Sequence, residues 1–277
     1  MTLPESPHGY NRGSAVESLA AWLLAVLWIS PLAFALWASV HDAVQAVRFD
    51  LSAPLTLRNF SYVWSAAPFP RYFLNTFLIV TIVIVVQFTL STLAGYAFAR
   101  FRFPGQKIAF VLVLLQLMIL PDVLIVENYS TLTKLNLTDT ALAIAMPYFG
   151  SAFGIFLMRQ TFKSIPMELH DAARIEGAGP LAILRRVYLP LAKPAYLAYG
   201  LVSVSFHWNN FLWPLIATNS VNSRPLTVGL QIFSSGDQGI DWSVIAAATL
   251  LSVGPLLVAF IVFQRQFVQS FLRAGIR

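Results

Sequence analysis

Tyr72-Phe73-Leu74-Asn75-Thr76-Phe77-Leu78-Ile79-Val80-Thr81-Ile82-Val83-Ile84-Val85-Val86-Gln87-Phe88-Thr89-Leu90-Ser91-Thr92-Leu93-Ala94-Gly95-Tyr96-Ala97-Phe98-Ala99 runs without one Asp, Glu, Lys or Arg. A bilayer core needs about 20 apolar residues of helix, so this segment is long enough to cross it. Leu19–Val40, Thr140–Met158, Pro194–Ser223 and Trp242–Gln264 are equally free of charge. A sixth run, Ile108–Val126, carries only Asp122 near its end; the loop Arg100–Lys107 precedes it and Pro121 lies just inside its outer boundary. The sequence predicts an all-α, polytopic membrane protein with six transmembrane helices.

Composition agrees with that reading. Of 277 residues 57% are hydrophobic and 11% charged, with a mean hydropathy of +0.69, whereas soluble domains carry roughly 25% charged residues. With no Cys there is no disulfide framework, thiolate metal site or cysteine nucleophile. His8, His41, His170 and His207 lie too far apart for a ligand pair on one helix. The net charge of +6 does not point to nucleic acid, because the basic residues sit between the apolar runs.

Their distribution sets orientation. The N-terminal tail, Arg100–Lys107, Arg159–Lys193 and the C-terminal tail hold 13 of the 18 basic residues, while the alternate segments hold 5 and 7 of the 12 acids. The positive-inside rule then puts both termini in the cytoplasm. Residues 1–18 become a cytoplasmic tail, 19–264 one membrane domain, and 265–277 a second tail. Residues 159–194 form a cytoplasmic loop and 218–241 an outer one. The first run is longer than a signal-peptide core and is read as an uncleaved helix.

The cytoplasmic loop is the most patterned piece. Pro166 opens a short helix with Glu168 and Asp171 in its first turns; Leu169, Ala172, Ala173 and Glu176 follow at helical spacing, and Gly177 and Gly179 break it before Pro180. A solvated loop that merely fixes topology would satisfy the charge count. A docking helix better explains small residues on an exposed face followed by a Gly-Pro hinge.

Spacing favours the second reading. Asp171-Ala172-Ala173, three residues, Gly177, nine residues, Val187, one residue, Leu189-Pro190 resembles the E-A-A-x3-G-x9-I-x-L-P signature of ABC-importer membrane subunits. Tyr96-Ala97-Phe98-Ala99-Arg100-Phe101-Arg102-Phe103-Pro104-Gly105 and Trp208-Asn209-Asn210-Phe211-Leu212-Trp213-Pro214-Leu215 are similar to signatures of carbohydrate-uptake permeases, as are Ile155 to Gln160 and Ile165 to Leu169. Glu127 and the ending Phe271–Arg277 depart from that pattern.

The resemblance implies a type I ABC importer fold with a cytoplasmic coupling helix. It also implies a second, homologous permease subunit, two ATP-binding subunits holding ATP and Mg, and an extracytoplasmic solute-binding protein, all in a bacterial or archaeal inner membrane. Glu168, Leu169, Asp171, Ala172, Ala173, Gly177, Gly179, Leu189 and Pro190 would then carry ATPase coupling. No cofactor is expected in this chain. No Gly is followed by Lys, so there is no phosphate loop, and neither a nucleophile elbow nor a metal cluster suggests an enzyme. The cargo expected is a sugar, oligosaccharide or sugar derivative. An ion-coupled secondary transporter is the alternative, but only His207 is ionisable deep within a run.

His207, Trp208, Asn209 and Asn210 are candidates for the substrate path, against the plainer reading of packing and interhelical hydrogen bonds. Asn75, Gln87 and Gln116 are read as interhelical hydrogen-bonding residues. In the outer loop Ser234, Ser235, Gly236, Asp237, Gln238 and Gly239 form a polar tip. Its flanks, Pro225 to Leu230 and Asp241-Trp242, resemble those of the permease loop that enters the binding protein's cleft.

Overall fold

The computed structural model describes residues 15–50, 52–234 and 240–275; it is helical, with no strand among the described residues. Its main elements are α1 (Ala15–Ser39), α2 (Phe69–Arg100), α3 (Gln106–Leu115), α4 (Ile125–Lys134), α5 (Ala141–Ala145), α6 (Ala152–Ser164), α7 (Met167–Ile175), α8 (Lys193–Trp208), α9 (Leu212–Ala217) and α10 (Trp242–Gly275).

The long run with which the sequence reading began is α2, the central helix. Tyr72, Thr76, Ile79, Val80, Val83, Gln87, Ser91 and Tyr96 are buried along it at the spacing of one helical face. Gly95 allows close approach to α6, since a Cβ there would sit 2.7 Å from the Cβ of Met158. Towards one end of the bundle Tyr96, Met158, Phe162, Ile183, Leu184 and Tyr188 form a cluster. Near the other, Phe69, Tyr72, Val80, Trp208 and Leu226 pack against Ala247 and Ala248 of α10. Helix α1 is exposed on all sides through its first half and joins the bundle at Ala38, against Ala46 and Ala246.

Among the described residues three helices are individually long and apolar enough to cross a bilayer, fewer than the six expected: Val16–Ser39, Phe69–Arg100 and Trp242–Val262. Two bent pairs raise this to five, Gln106–Met118 with Pro121–Lys134 at 92° and Ala141–Tyr148 with Ala152–Ser164 at 50°. The run 194–223 divides into α8 and α9, neither meeting that length.

Each break has a local cause. Pro121 lacks an N–H and holds Leu120 extended at ψ 130°. At the second, Gln116 donates to the Gly150 carbonyl at 3.0 Å and accepts from the Ala152 N–H at 3.1 Å, while the Ser151 hydroxyl caps α6 by accepting from Gly154 N–H. At the third, Asn209 turns its amide back onto the Ser205 carbonyl. At the second break backbone groups freed by the bend are thus met by side chains, the condition under which irregular chain is tolerated at membrane depth.

Candidate functional site

Helix α7 spans Met167–Ile175, opening after Pro166 and stopping short of Gly177 and Gly179. Glu168 lies in its first turn. It ends in a Schellman motif: Gly177 N–H donates to the Arg174 carbonyl and Ala178 N–H to the Ala173 carbonyl, both at 3.0 Å. That closure requires the left-handed backbone of Gly177, φ +82°. Glu168, Leu169, Asp171 and Ala172 are exposed, as are Gly177, Gly179 and Pro190. Ala173 differs, turning half-buried toward the Tyr96–Tyr188 cluster, and Leu189 is also half-buried.

Contacts from the bundle hold the first turn of this helix. From the end of α2, Arg100 donates to the carbonyls of Phe162 and Ile165 at 2.6 Å each and reaches the Met167 sulfur. Its guanidinium lies 5.0 Å from the centre of the Tyr188 ring, and the Tyr188 hydroxyl meets His170 Nδ1 at 3.1 Å. Burial and the nearby Arg100 charge hold the His170 imidazole below its ordinary value, Arg174 adding to this and Asp171 opposing it. Leu184–Tyr188, with Arg185 and Arg186, forms one π-helical turn leading into Leu189-Pro190.

A cavity of about 440 Å³ lies where the two bends meet α8. Gln116, Gly150 and Ser151 from the bends line it, with Asn128, Tyr148, His207 and Trp213. Gln87 organises its wall. Its amide nitrogen donates to the Tyr148 carbonyl at 2.7 Å and contacts His207 Nε2 at 3.2 Å, while its oxygen accepts from the hydroxyls of Tyr199 and Ser203. Because the Tyr148 carbonyl fixes which end of the amide is nitrogen, His207 Nε2 must accept and Nδ1 carries the proton.

The expected path cluster is therefore divided. His207 lines the cavity; Trp208 instead donates to the Ser252 carbonyl at 3.0 Å inside the core, and Asn209 faces its own helix. Asn210 supports the wall from behind, donating to the Tyr148 hydroxyl at 2.7 Å. Asn128 and Tyr148 are lining residues the sequence reading did not single out; proximity to Pro121 and Pro147 was the available signal.

Beyond α9 the segment expected to form the outer loop is clasped to the bundle. Asn75 donates to the carbonyls of Asn222 and Arg224, and Thr76 accepts from Leu226 N–H at 2.8 Å. The Asp139 carboxylate accepts from Asn219 N–H at 2.8 Å, Ser220 N–H at 2.9 Å and the Ser223 hydroxyl. Ser234 ends the described part of this segment, and the expected tip residues Ser235, Gly236, Asp237, Gln238 and Gly239 lie outside the described residues.

The sequence matches the family described as binding-protein-dependent transport system inner membrane component over residues 52–273. This chain belongs to that family. Similar members include the arabinooligosaccharides transport system permease protein AraQ of Halalkalibacterium halodurans, 30% identical over 94% of this chain and 97% of the relative. The sn-glycerol-3-phosphate transport system permease protein UgpE of Pectobacterium atrosepticum is 31% identical over 91% of this chain and 92% of its own. In structure, a chain of a bacterial ABC transporter involved in alginate import superimposes with a TM-score of 0.83 at 20% identity, covering 96% of this chain and all of that one. The chain thus has the type I fold of these inner membrane components, and the matched family region begins after α1.

Proposed function

We propose that this chain is one permease subunit of an ATP-driven importer that receives an uncharged sugar or oligosaccharide from an extracytoplasmic binding protein. Two ATPase subunits, with ATP and Mg, dock on α7 and the Gly177–Gly179 hinge, and a second permease completes the path. Both termini and residues 159–194 face the cytoplasm, and the outer loop 218–241 meets the binding protein.

The observation that carries the cargo class is the cavity at the bends, whose described lining includes no Asp, Glu, Lys or Arg. Its polar groups are neutral, and Tyr148, Phe153, Phe206 and Trp213 supply aromatic surface. Aromatic faces with a few placed neutral hydrogen-bonding groups suit a polyhydroxylated ring. A phosphate or carboxylate cargo would call for Arg or Lys. Of the cargoes named for similar proteins, arabinooligosaccharides fit this chemistry better than glycerol phosphate or acidic alginate. Asn128 and the Nδ1–H of His207, which have no hydrogen-bond partner among the described residues, are the groups free to meet a hydroxyl.

The test is to isolate the soluble protein that copurifies with the assembled complex and identify its ligand. A neutral saccharide whose uptake into proteoliposomes requires ATP is the expected result. A phosphorylated or uronic-acid ligand would overturn the cargo class. Uptake driven by a sodium or proton gradient without ATP would favour the secondary-transporter reading.

A further inference from the structure

A second cavity, of about 600 Å³, lies between the α2–α3 connection and the end of α6. Arg100, Arg102, Lys107, Arg159 and Lys163 all line it, and no Asp or Glu does. Two of these cations are fixed: Arg100 by the Phe162 and Ile165 carbonyls, and Arg159 by the Phe98 carbonyl and the face of Phe110, 4.0 Å away. Arg102, Lys107 and Lys163 are exposed and make no ion pair among the described residues. Topology accounts for basic residues in a loop. It does not require five of them to converge on one cavity.

Apart from Gln106, whose amide donates to the Phe98 and Phe101 carbonyls, the remaining wall is apolar. Phe98, Phe110 and Val111 line the cavity, and from Val111 the surface continues along α3 through Leu112 and Leu115, which are 61% and 46% exposed. None of the residues of α3 is buried. A ligand matching this surface has an anionic head and an apolar tail at the membrane boundary.

We infer that this cavity binds the headgroup of an anionic phospholipid, with its acyl chains lying along α3. Basic pockets between spans at a membrane face are suited to such headgroups. The site also touches the transport machinery, because Arg100 and Met167 connect it to the start of α7. An occupied site would stiffen the support of that helix. The inference needs only the membrane reading of α2, α3 and α6, and it stands whatever the cargo is.

The test uses the whole detergent-solubilised complex and native mass spectrometry, with phosphatidylglycerol and phosphatidylcholine offered in equal amounts. Retention of phosphatidylglycerol alone is expected. Arg102→Gln with Lys163→Gln, two exposed residues with no protein partner to lose, should weaken that retention roughly tenfold or more. Arg102→Lys with Lys163→Arg should restore it. Equal retention of both lipids, or undiminished retention in the Gln variant, would overturn the proposal. So would displacement of the lipid by millimolar inorganic phosphate, which would indicate a plain anion site, or crosslinking of a probe at Val111 to another subunit rather than to lipid.

Discussion

The guanidinium of Arg100 lies over the ring of Tyr188, joining the end of α2 to the turn that follows α7. The same group donates to two carbonyls that α6 leaves unpaired at its end, those of Phe162 and Ile165. One side chain therefore ties the start of the exposed helix to the end of α2.

Removing it should be costly. Charge-assisted hydrogen bonds and a cation–π contact at a half-exposed site together suggest about 2 kcal/mol for Arg100→Ala, read as a fall of roughly 5 °C in the unfolding temperature of the purified chain. Arg100→Lys should recover less than half of this, because an ammonium cannot span both carbonyls. An unchanged unfolding temperature for Arg100→Ala would show that α7 is held by other contacts.

Gly177 separates backbone strain from docking. A Cβ there would meet nothing within 4 Å, so only its φ of +82° opposes substitution. Gly177→Ala should destabilise the chain by about 1 kcal/mol, with Asn milder since it tolerates this conformation. Gly177→Leu should match Ala in the isolated chain. In the assembled complex, however, Leu should depress ligand-stimulated ATP hydrolysis well below Ala, because its extra bulk enters the docked ATPase. Equal hydrolysis for the two variants would remove Gly177 from the interface.

How much of this was legible follows from what composition records. The limits of α2, Phe69–Arg100, fall within three residues of the charge-free run, because Pro70 and Arg71 at one end and Arg100 at the other mark where lipid gives way to water. Charge-free composition does not distinguish a straight helix from a bent one, so the breaks at 119–120, 149–151 and 209–211 were not read, although Pro121, Pro147, Gly150 and the Asn209-Asn210 pair were in view. The path cluster divides on geometry. Successive helical residues point about 100° apart, so His207 facing a cavity sends Trp208 into the core. Gln87 was legible as a hydrogen-bonding residue but not as the hub of four partners, since those come from distant parts of the chain.

Asp139 and His170 give a pH response that can be assigned. Against the cost of burial, Ser220, Ser223 and Asn219 hold the Asp139 carboxyl well below the usual carboxylate range. A depressed acid contributes stability above its unfolded value, near 4, and loses it only as pH falls through the lower folded value. His170, also depressed, binds its proton more readily when unfolded, so its effect begins as pH drops below about 6.5. Stability lost between pH 7 and 5 should therefore diminish in His170→Gln and persist in Asp139→Asn. Asp139 also sits at φ +64°. Asp139→Gly, which relieves the backbone but removes the acceptor, should loosen the 219–223 turn nearly as much as Asp139→Ala, seen as faster amide exchange there. Wild-type exchange in the Gly variant would make backbone conformation, not the carboxylate, the source of the clasp.

Orientation is the remaining expectation, and the absence of cysteine makes it clean to test. Ser164, at the end of α6, is exposed beside the basic cavity and precedes α7; Ser65, in the short helix Arg58–Ala66 before α2, is exposed at the opposite end of that span. Thirteen of 18 basic residues lie in the set of segments that includes Ser164, and translocating that many Lys and Arg is what the positive-inside rule disfavours. A cysteine at Ser65 should react in intact cells with an impermeant maleimide. One at Ser164 should react only after the membrane is opened. Neither substitution disturbs a buried contact, since the Ser164 hydroxyl bonds only the Thr161 carbonyl of its own helix. Labelling of Ser164→Cys from outside would invert the chain and remove α7 from the side where ATP is available, and with it the coupling role proposed for that helix.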